Sequence, residues 1–221
     1  MSLSKTLLAL ALTGAALSAH AGITYSATSG NLPTGAVAAA TVITFDAGLP
    51  TSSFAQYDNP AAVMPIGGHA GTSAPPPGDA TRFFSVGISD NQPGSSSVSF
   101  SGFGASYFGF YMGSPDNYNV VTLFSGSTPV LQINGTDMAN AASMMADGNQ
   151  SHGFYMNFNT TAGTTISRVT FSSTSNAFET DNHAYIAAVP EPETYAMLLT
   201  GLGLVGFASR RRRPANEECF Y

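Results

Sequence analysis

Nine short runs of alternating apolar and polar residues, none longer than six, place the tightest limit on how this chain can fold. They are 42–45, 82–86, 97–100, 107–112, 119–124, 129–133, 154–158, 166–171 and 184–188. Val, Ile, Thr, Phe and Tyr fill them, and Gly, Pro, Asn and Ser separate them, the composition of strands joined by turns. Runs of this length and spacing predict an all-β domain, an antiparallel β-sandwich over residues 22–189. One helical exception is expected over Asp137–Ala146, capped by Thr136 or Asp137. Residues 67–79 carry Pro75, Pro76 and Pro77, which cannot join a ladder, so they read as an exposed loop.

Charge narrows the function. Charged residues are 9% of the chain, against roughly 25% in an average soluble protein. From Gly22 to Val189 two arginines (Arg82, Arg168) stand against nine acids, with no lysine, leaving −7. A domain of that sign offers nothing to a phosphate backbone, so nucleic acid is not a partner. The one cysteine, Cys219, lies at the far C-terminus and cannot staple the core. No G-x-S-x-G, H-E-x-x-H or G-x-x-x-x-G-K string occurs, and the only lysine is Lys5. His69, His152 and His183 sit on separate segments without metal-ligand spacing and read as loop or edge histidines. The expectation is a protein that is not an enzyme.

Both ends carry targeting signals. Residues 1–21 read as a signal peptide for the Sec machinery: Lys5, an apolar run over 7–17, then Ala19-His20-Ala21 as a cleavage site. At the other end, Pro190-Glu191-Pro192 precedes an uncharged apolar stretch, Tyr195–Ser209, and then Arg210, Arg211, Arg212 and Arg213. The stretch reads as a single transmembrane helix, although fifteen residues fall short of the ~20 that a bilayer core needs. The arginines would hold its end on the cytoplasmic side, with residues 214–221 as a short cytoplasmic tail. Gly201-x-Gly203-x-x-Gly206 matches a dinucleotide fingerprint in letters only, because no strand leads into it and no βαβ unit surrounds it.

The order Pro-Glu-Pro, apolar span, arginine cluster over residues 190–213 resembles the PEP-CTERM sorting domain of bacterial exported proteins. The same segment is also known as an ice-binding protein C-terminal domain. The resemblance implies recognition and cleavage by exosortase, a membrane-embedded protease-like enzyme. The precursor is then membrane-anchored, and the product is delivered to the cell surface or extracellular matrix. Within the domain, Phe108-Gly-Phe-Tyr-Met-Gly-Ser-Pro-Asp-Asn-Tyr-Asn119, the following 121–126 and Ala177-Phe-Glu-Thr-Asp-Asn182 resemble a group of exosortase-dependent surface proteins. That likeness implies a jelly-roll-like sandwich and no defined activity.

Two candidate sites remain. Asp46 ends the first strong strand, and Glu179, Asp181 and Asn182 precede the last, so pairing of those strands would gather hard oxygen ligands for a structural calcium. The alternative is that they are solvated turn carboxylates. Asp116, Asn117, Tyr118 and Asn119 form a turn whose amides and ring could hydrogen-bond and stack a sugar of an extracellular polysaccharide. The two functional readings are a structural surface or matrix protein and a carbohydrate-binding module. An exposed aromatic platform beside the turn would favour the second, a flat polar surface the first.

Overall fold

The alternating runs resolve into eleven strands in two antiparallel sheets. The computed structural model describes residues 22–31, 34–89, 91–161, 163–190 and 192–211. The signal-peptide reading of 1–21, Glu191, Arg212, Arg213 and the tail 214–221 lie outside the described residues. The strands are β1 (Ile23–Ser29), β2 (Thr41–Ile43), β3 (Ala55–Tyr57), β4 (Phe84–Val86), β5 (Ser95–Phe100), β6 (Ala105–Gly113), β7 (Asn119–Ser125), β8 (Thr128–Asn134), β9 (Gly153–Thr160), β10 (Arg168–Ser173) and β11 (Phe178–Ala187). One sheet runs β1-β9-β6-β11-β2, with β4 also on β11; the other runs β3-β5-β10-β7-β8.

Each of the nine expected runs overlaps a strand, with 44–45, 82–83, 166–167 and 188 falling outside, and β1 and β3 are additions. β1 pairs along its whole length with β9, yet it is an edge strand with mostly exposed side chains, so it has no buried alternation to read. β3 is three residues long. The helix is shorter and earlier than expected. It is α1 (Gly135–Ala141), capped by Asn134, whose side chain accepts from the Asp137 N–H while the Asp137 carboxylate accepts from the Asn134 N–H. Asp137 is therefore the third residue of a capping box rather than the cap. Gly135 opens this helix because a Cβ there would strike the Asp116 carbonyl.

Phenylalanine fills the space between the sheets. Phe108 and Phe110 of β6, Phe158 of β9 and Phe178 of β11 meet Phe100 of β5 and Phe171 of β10, all nearly or fully buried. Phe110 and Phe171 sit edge to face at 5.2 Å across the sandwich. Each such ring contributes about 1.5–3 kcal/mol by leaving water.

The exception to this apolar filling is His183. It is fully buried and lies flat on Phe171 at 5.0 Å and 17°. Its Nδ1 is 2.8 Å from the Tyr57 hydroxyl of β3, and its Nε2 is 2.9 Å from the Thr180 hydroxyl. Burial lowers its pKa from 6.5 to about 3, so the ring is neutral, donating from one nitrogen and accepting at the other. The loop-or-edge reading of His183 is thereby corrected. A register shift between Asp181 and Ala184, with Asn182 at φ +47, inserts an extra residue into β11 and turns His183 inward. Glu179, Asp181 and Asn182 likewise lie within β11 rather than in a loop before it.

Residues 192–211 form a second helix, α2 (Pro192–Arg211). Pro192 opens it, as prolines do in a first turn, so the helix takes in the second proline of the sorting segment. Tyr195, Met197, Leu198, Leu199, Leu202, Leu204, Val205 and Phe207 are all exposed on it. Among the described residues no helix is long and apolar enough to cross a membrane. The expected transmembrane helix is corrected on length: fifteen apolar residues rise about 22 Å, against a hydrocarbon core of about 30 Å.

Tyr57→Phe should lower unfolding free energy by about 1–3 kcal/mol in urea titration, because it strands a buried ring nitrogen without removing packing volume. An unchanged midpoint would show that the hydrogen bond does not support the fold.

Candidate functional site

The outer face of the first sheet is covered by loops, and its polar groups are buried beneath them. Tyr107, Tyr111 and Tyr155 form a small second core there with Ala184. Gly109 lies between them, since a Cβ would collide with the Tyr107 hydroxyl and the Tyr155 ring. Tyr111 donates to the Pro77 carbonyl at 2.6 Å, Tyr155 to the Asn182 carbonyl at 2.7 Å and Tyr107 to Asn157 at 2.7 Å. Burial raises all three phenols, Tyr111 to about 12. The 67–79 segment is a loop as expected, but it packs onto this face, with Ser73 and Pro76 buried.

Glu179 and Asp181, two residues apart on β11, point to this outer face, and both are buried. Glu179 accepts from the Ala74 N–H at 3.2 Å and the Ser114 hydroxyl at 3.3 Å. Burial outweighs those bonds and raises its pKa to about 7. Asp181 rises to about 8, again chiefly by burial. Its Oδ1 accepts from the Asn182 N–H, and its Oδ2 has no conventional donor. The nearby Asp79 carboxylate adds to the rise. Burial works against the Asp79 carboxylate itself, but bonds from the Thr81 hydroxyl and N–H outweigh it and lower its pKa.

β2 pairs with β11, as the calcium reading supposed. Asp46 is exposed, accepts from the Thr44 hydroxyl and raises Asp181 electrostatically. Glu179 turns instead toward Ala74 and Ser114. Among the described residues no three His, Cys, Asp or Glu side chains are grouped to hold a metal ion.

The sugar-candidate turn closes the same end of the sandwich, here termed the loop pole. A cavity of about 450 Å³ opens there, bounded by His69, Ser73, Ser114, Asp116, Asn176 and Glu179. Asp116 and Glu179, drawn from two separate expectations, thus share one wall. Burial raises the Asp116 pKa. Asn117 is exposed, Tyr118 is half-buried and donates to the Asn176 carbonyl at 2.6 Å, and Asn119 is fully buried with its Oδ1 accepting from Ser173. The turn therefore directs one carboxyl at the cavity rather than four groups at solvent. Sequence reasoning missed Ser114, at φ +36, and Ala74, because neither residue type signals a role.

At the opposite end, the tail pole, β11 finishes and the chain leaves. The last tie is the Ala188 N–H to the Gly104 carbonyl at 2.8 Å; Val189 beyond it is 82% exposed. Arg210 and Arg211 close α2. The glycines of the dinucleotide-like string lie within that continuous helix, not at a strand-to-helix turn, which removes any phosphate role.

These titrations oppose one another. Glu179 and Asp181, raised from 4.5 and 3.8, favour folding most below pH 4 and lose that contribution as pH climbs to 8. His183, lowered from 6.5, favours folding above that value and less as pH falls toward 3. Asp79 adds its own loss below about pH 4. Urea midpoints should therefore peak near about pH 4–5 and decline toward pH 8. Asp181→Asn should flatten the decline. A wild-type midpoint that rises from pH 5 to 8 contradicts the assignment.

No curated protein and no solved structure matches the chain. Residues 188–213 match the family described as the PEP-CTERM protein-sorting motif, so the chain carries that motif directly after the last strand of its β-sandwich.

Proposed function

We propose that this is an exported, non-enzymatic protein of the cell surface or extracellular matrix, processed through its tail by exosortase. The match of residues 188–213 to the sorting motif carries the reading. Its setting supports it: one exposed residue, Val189, separates the hydrogen-bonded sandwich from Pro190, so the Pro-Glu-Pro segment has no ladder to leave before entering a protease. The exposed apolar side of α2 supplies membrane affinity, and Arg210–Arg213 stop translocation. The open face of the second sheet supports a structural role. Ser97, Thr170, Thr122 and Gln132 form one cross-strand row there, joined by side-chain hydrogen bonds of 2.9 and 3.0 Å within its two end pairs.

A carbohydrate-binding role is the second reading, favoured by the polar cavity that joins Asp116 and Glu179. A glycan array on the mature chain tests it: Asp116→Ala should abolish any signal that the wild type gives.

For the sorting role, Glu191→Ala should leave the chain in the membrane fraction uncut, and neutralising the four arginines should let the tail slip from its register. Blots of membrane and medium fractions beside wild type read both. Wild-type release of the Glu191 variant would reduce the segment to a plain anchor.

A further inference from the structure

The tail pole differs from the rest of the surface in charge. It is built from residues 22–25, 50–54, 99–108, 122–131, 157–161, 163–168 and 184–190, and these contain no Asp, Glu or Lys and one charge, Arg168. Arg168 stacks on Phe124 at 3.9 Å. The other described acids lie elsewhere: Asp116 bridges to Asp147, Asp137 accepts from the Asn134 N–H in the first turn of α1, Asp58 holds Ser96 and Ser97, and Glu179 and Asp181 sit toward the start of β11. The next carboxylates, Glu191 and Glu193, belong to the sorting segment itself.

At the tip of this pole is Phe103, 65% exposed in the turn Ser101–Gly104. Glycines at φ +63 and +79 flank it, a backbone that other residues rarely adopt, and the turn points the ring outward. A groove of about 430 Å³ runs from Phe103 past Thr164 and Thr165 to Val189 and Pro190. The first described residues and the end of β11 meet here, since the Gly22 N–H donates to Thr161 at 3.1 Å and Ala188 is held by Gly104.

Chain length then limits where the pole can be. Four residues from Ala188 to Pro192 span at most about 14 Å, and the helical rise to Tyr195 adds about 5 Å. The polar layer of a bilayer takes up about 5–8 Å of that distance. We propose that the tail pole is the membrane-facing surface of the unprocessed protein, with Phe103 in the headgroup layer of an anionic bilayer and the cavity pole turned away. The inference rests on the sorting reading, which brings α2 to the membrane. Charge selects the orientation, because an acid-free end approaches anionic lipid without repulsion. The exposed Thr161 and half-buried Thr165 on the groove rim are polar without being charged, as a headgroup layer requires.

The chain has no tryptophan, so single Trp substitutions report one place each. Three full-length variants would be mixed with phosphatidylcholine–phosphatidylglycerol vesicles brominated near the headgroup end of the acyl chains. They are Phe103→Trp, Leu202→Trp in α2, and Met145→Trp at the loop pole, where Met145 is 71% exposed. Leu202→Trp and Phe103→Trp should shift to the blue and lose most of their fluorescence, and Met145→Trp should do neither. Adding Thr161→Glu and Thr165→Glu, on the accessible rim of the groove, should restore the Phe103→Trp signal and leave Leu202→Trp quenched. If Leu202→Trp is quenched while Phe103→Trp stays as bright as Met145→Trp, the pole proposal fails and the sorting reading stands. If Leu202→Trp is also unquenched, the sorting reading fails with it. Quenching of Phe103→Trp only when vesicles contain exosortase would assign the pole to the enzyme and overturn the bilayer assignment.

Discussion

A neutral imidazole at the centre of an aromatic core is the constraint on which much of this sandwich depends. Among the described residues His183 joins its own sheet and the facing one through its two ring nitrogens. Thr180 lies on its own strand, Tyr57 comes from β3 of the facing sheet, and the ring stacks on Phe171 of β10. Phenylalanine packing brings the sheets together, but its ring pairs accept a range of tilts. The Tyr57–His183 hydrogen bond that crosses the dry interior is less tolerant, since a displaced partner leaves a buried polar atom unsatisfied. The register between sheets is therefore set by chemistry rather than by volume.

The same bulge that turns His183 inward decides what the outer face carries. Before it, Glu179 and Asp181 face outward; after it, Ala184 and Ile186 do, so the strand changes phase without changing sides. Acidic residues thus cluster in the half of β11 nearer the loop pole, beneath the proline-containing loop. Covering them removes water, and the chain answers by keeping protons on them instead of supplying cations, of which the domain has only two. Scarcity of charge, a compositional fact, becomes a local rule: buried carboxyls here pair with hydroxyls and N–H groups.

That rule explains what could and could not be read from the residues. Strands with one buried face, such as β5 and β10, announce themselves by alternation. β1 does not, because an edge strand paired on one side presents little apolar pattern. The stretch Glu179–Asn182 looks like a loop because two acids and an asparagine are poor strand formers, and only the covering loop, distant in sequence, makes their burial possible. His183 was misplaced for a related reason: the alternation that would mark it as inward is broken one residue before it by Asn182 in a left-handed conformation. The sorting tail was legible because its signal is an order of residue types along the chain. The cavity was legible only in pieces, with Asp116 and Glu179 sixty residues apart.

β11 also determines how the tail is presented. It is a central strand, paired on one side with β6 and on the other with β2 and β4. An edge strand can peel away one hydrogen bond at a time, and the boundary between folded domain and free tail would then drift. Ile186 and Ala187 are paired with β6 alone, but from Tyr185 inward β2 holds the other flank, so fraying that starts at Ala188 meets two ladders within three residues. The Pro-Glu-Pro segment therefore begins within a few residues of a fixed point on the sandwich whatever pulls on α2. A protease that reads a short extended segment needs that constancy, because the ~14 Å from Ala188 to Pro192 leaves no slack to compensate for a frayed strand. One strand's register thus sets the buried acids, the imidazole pin and the reach of the tail together.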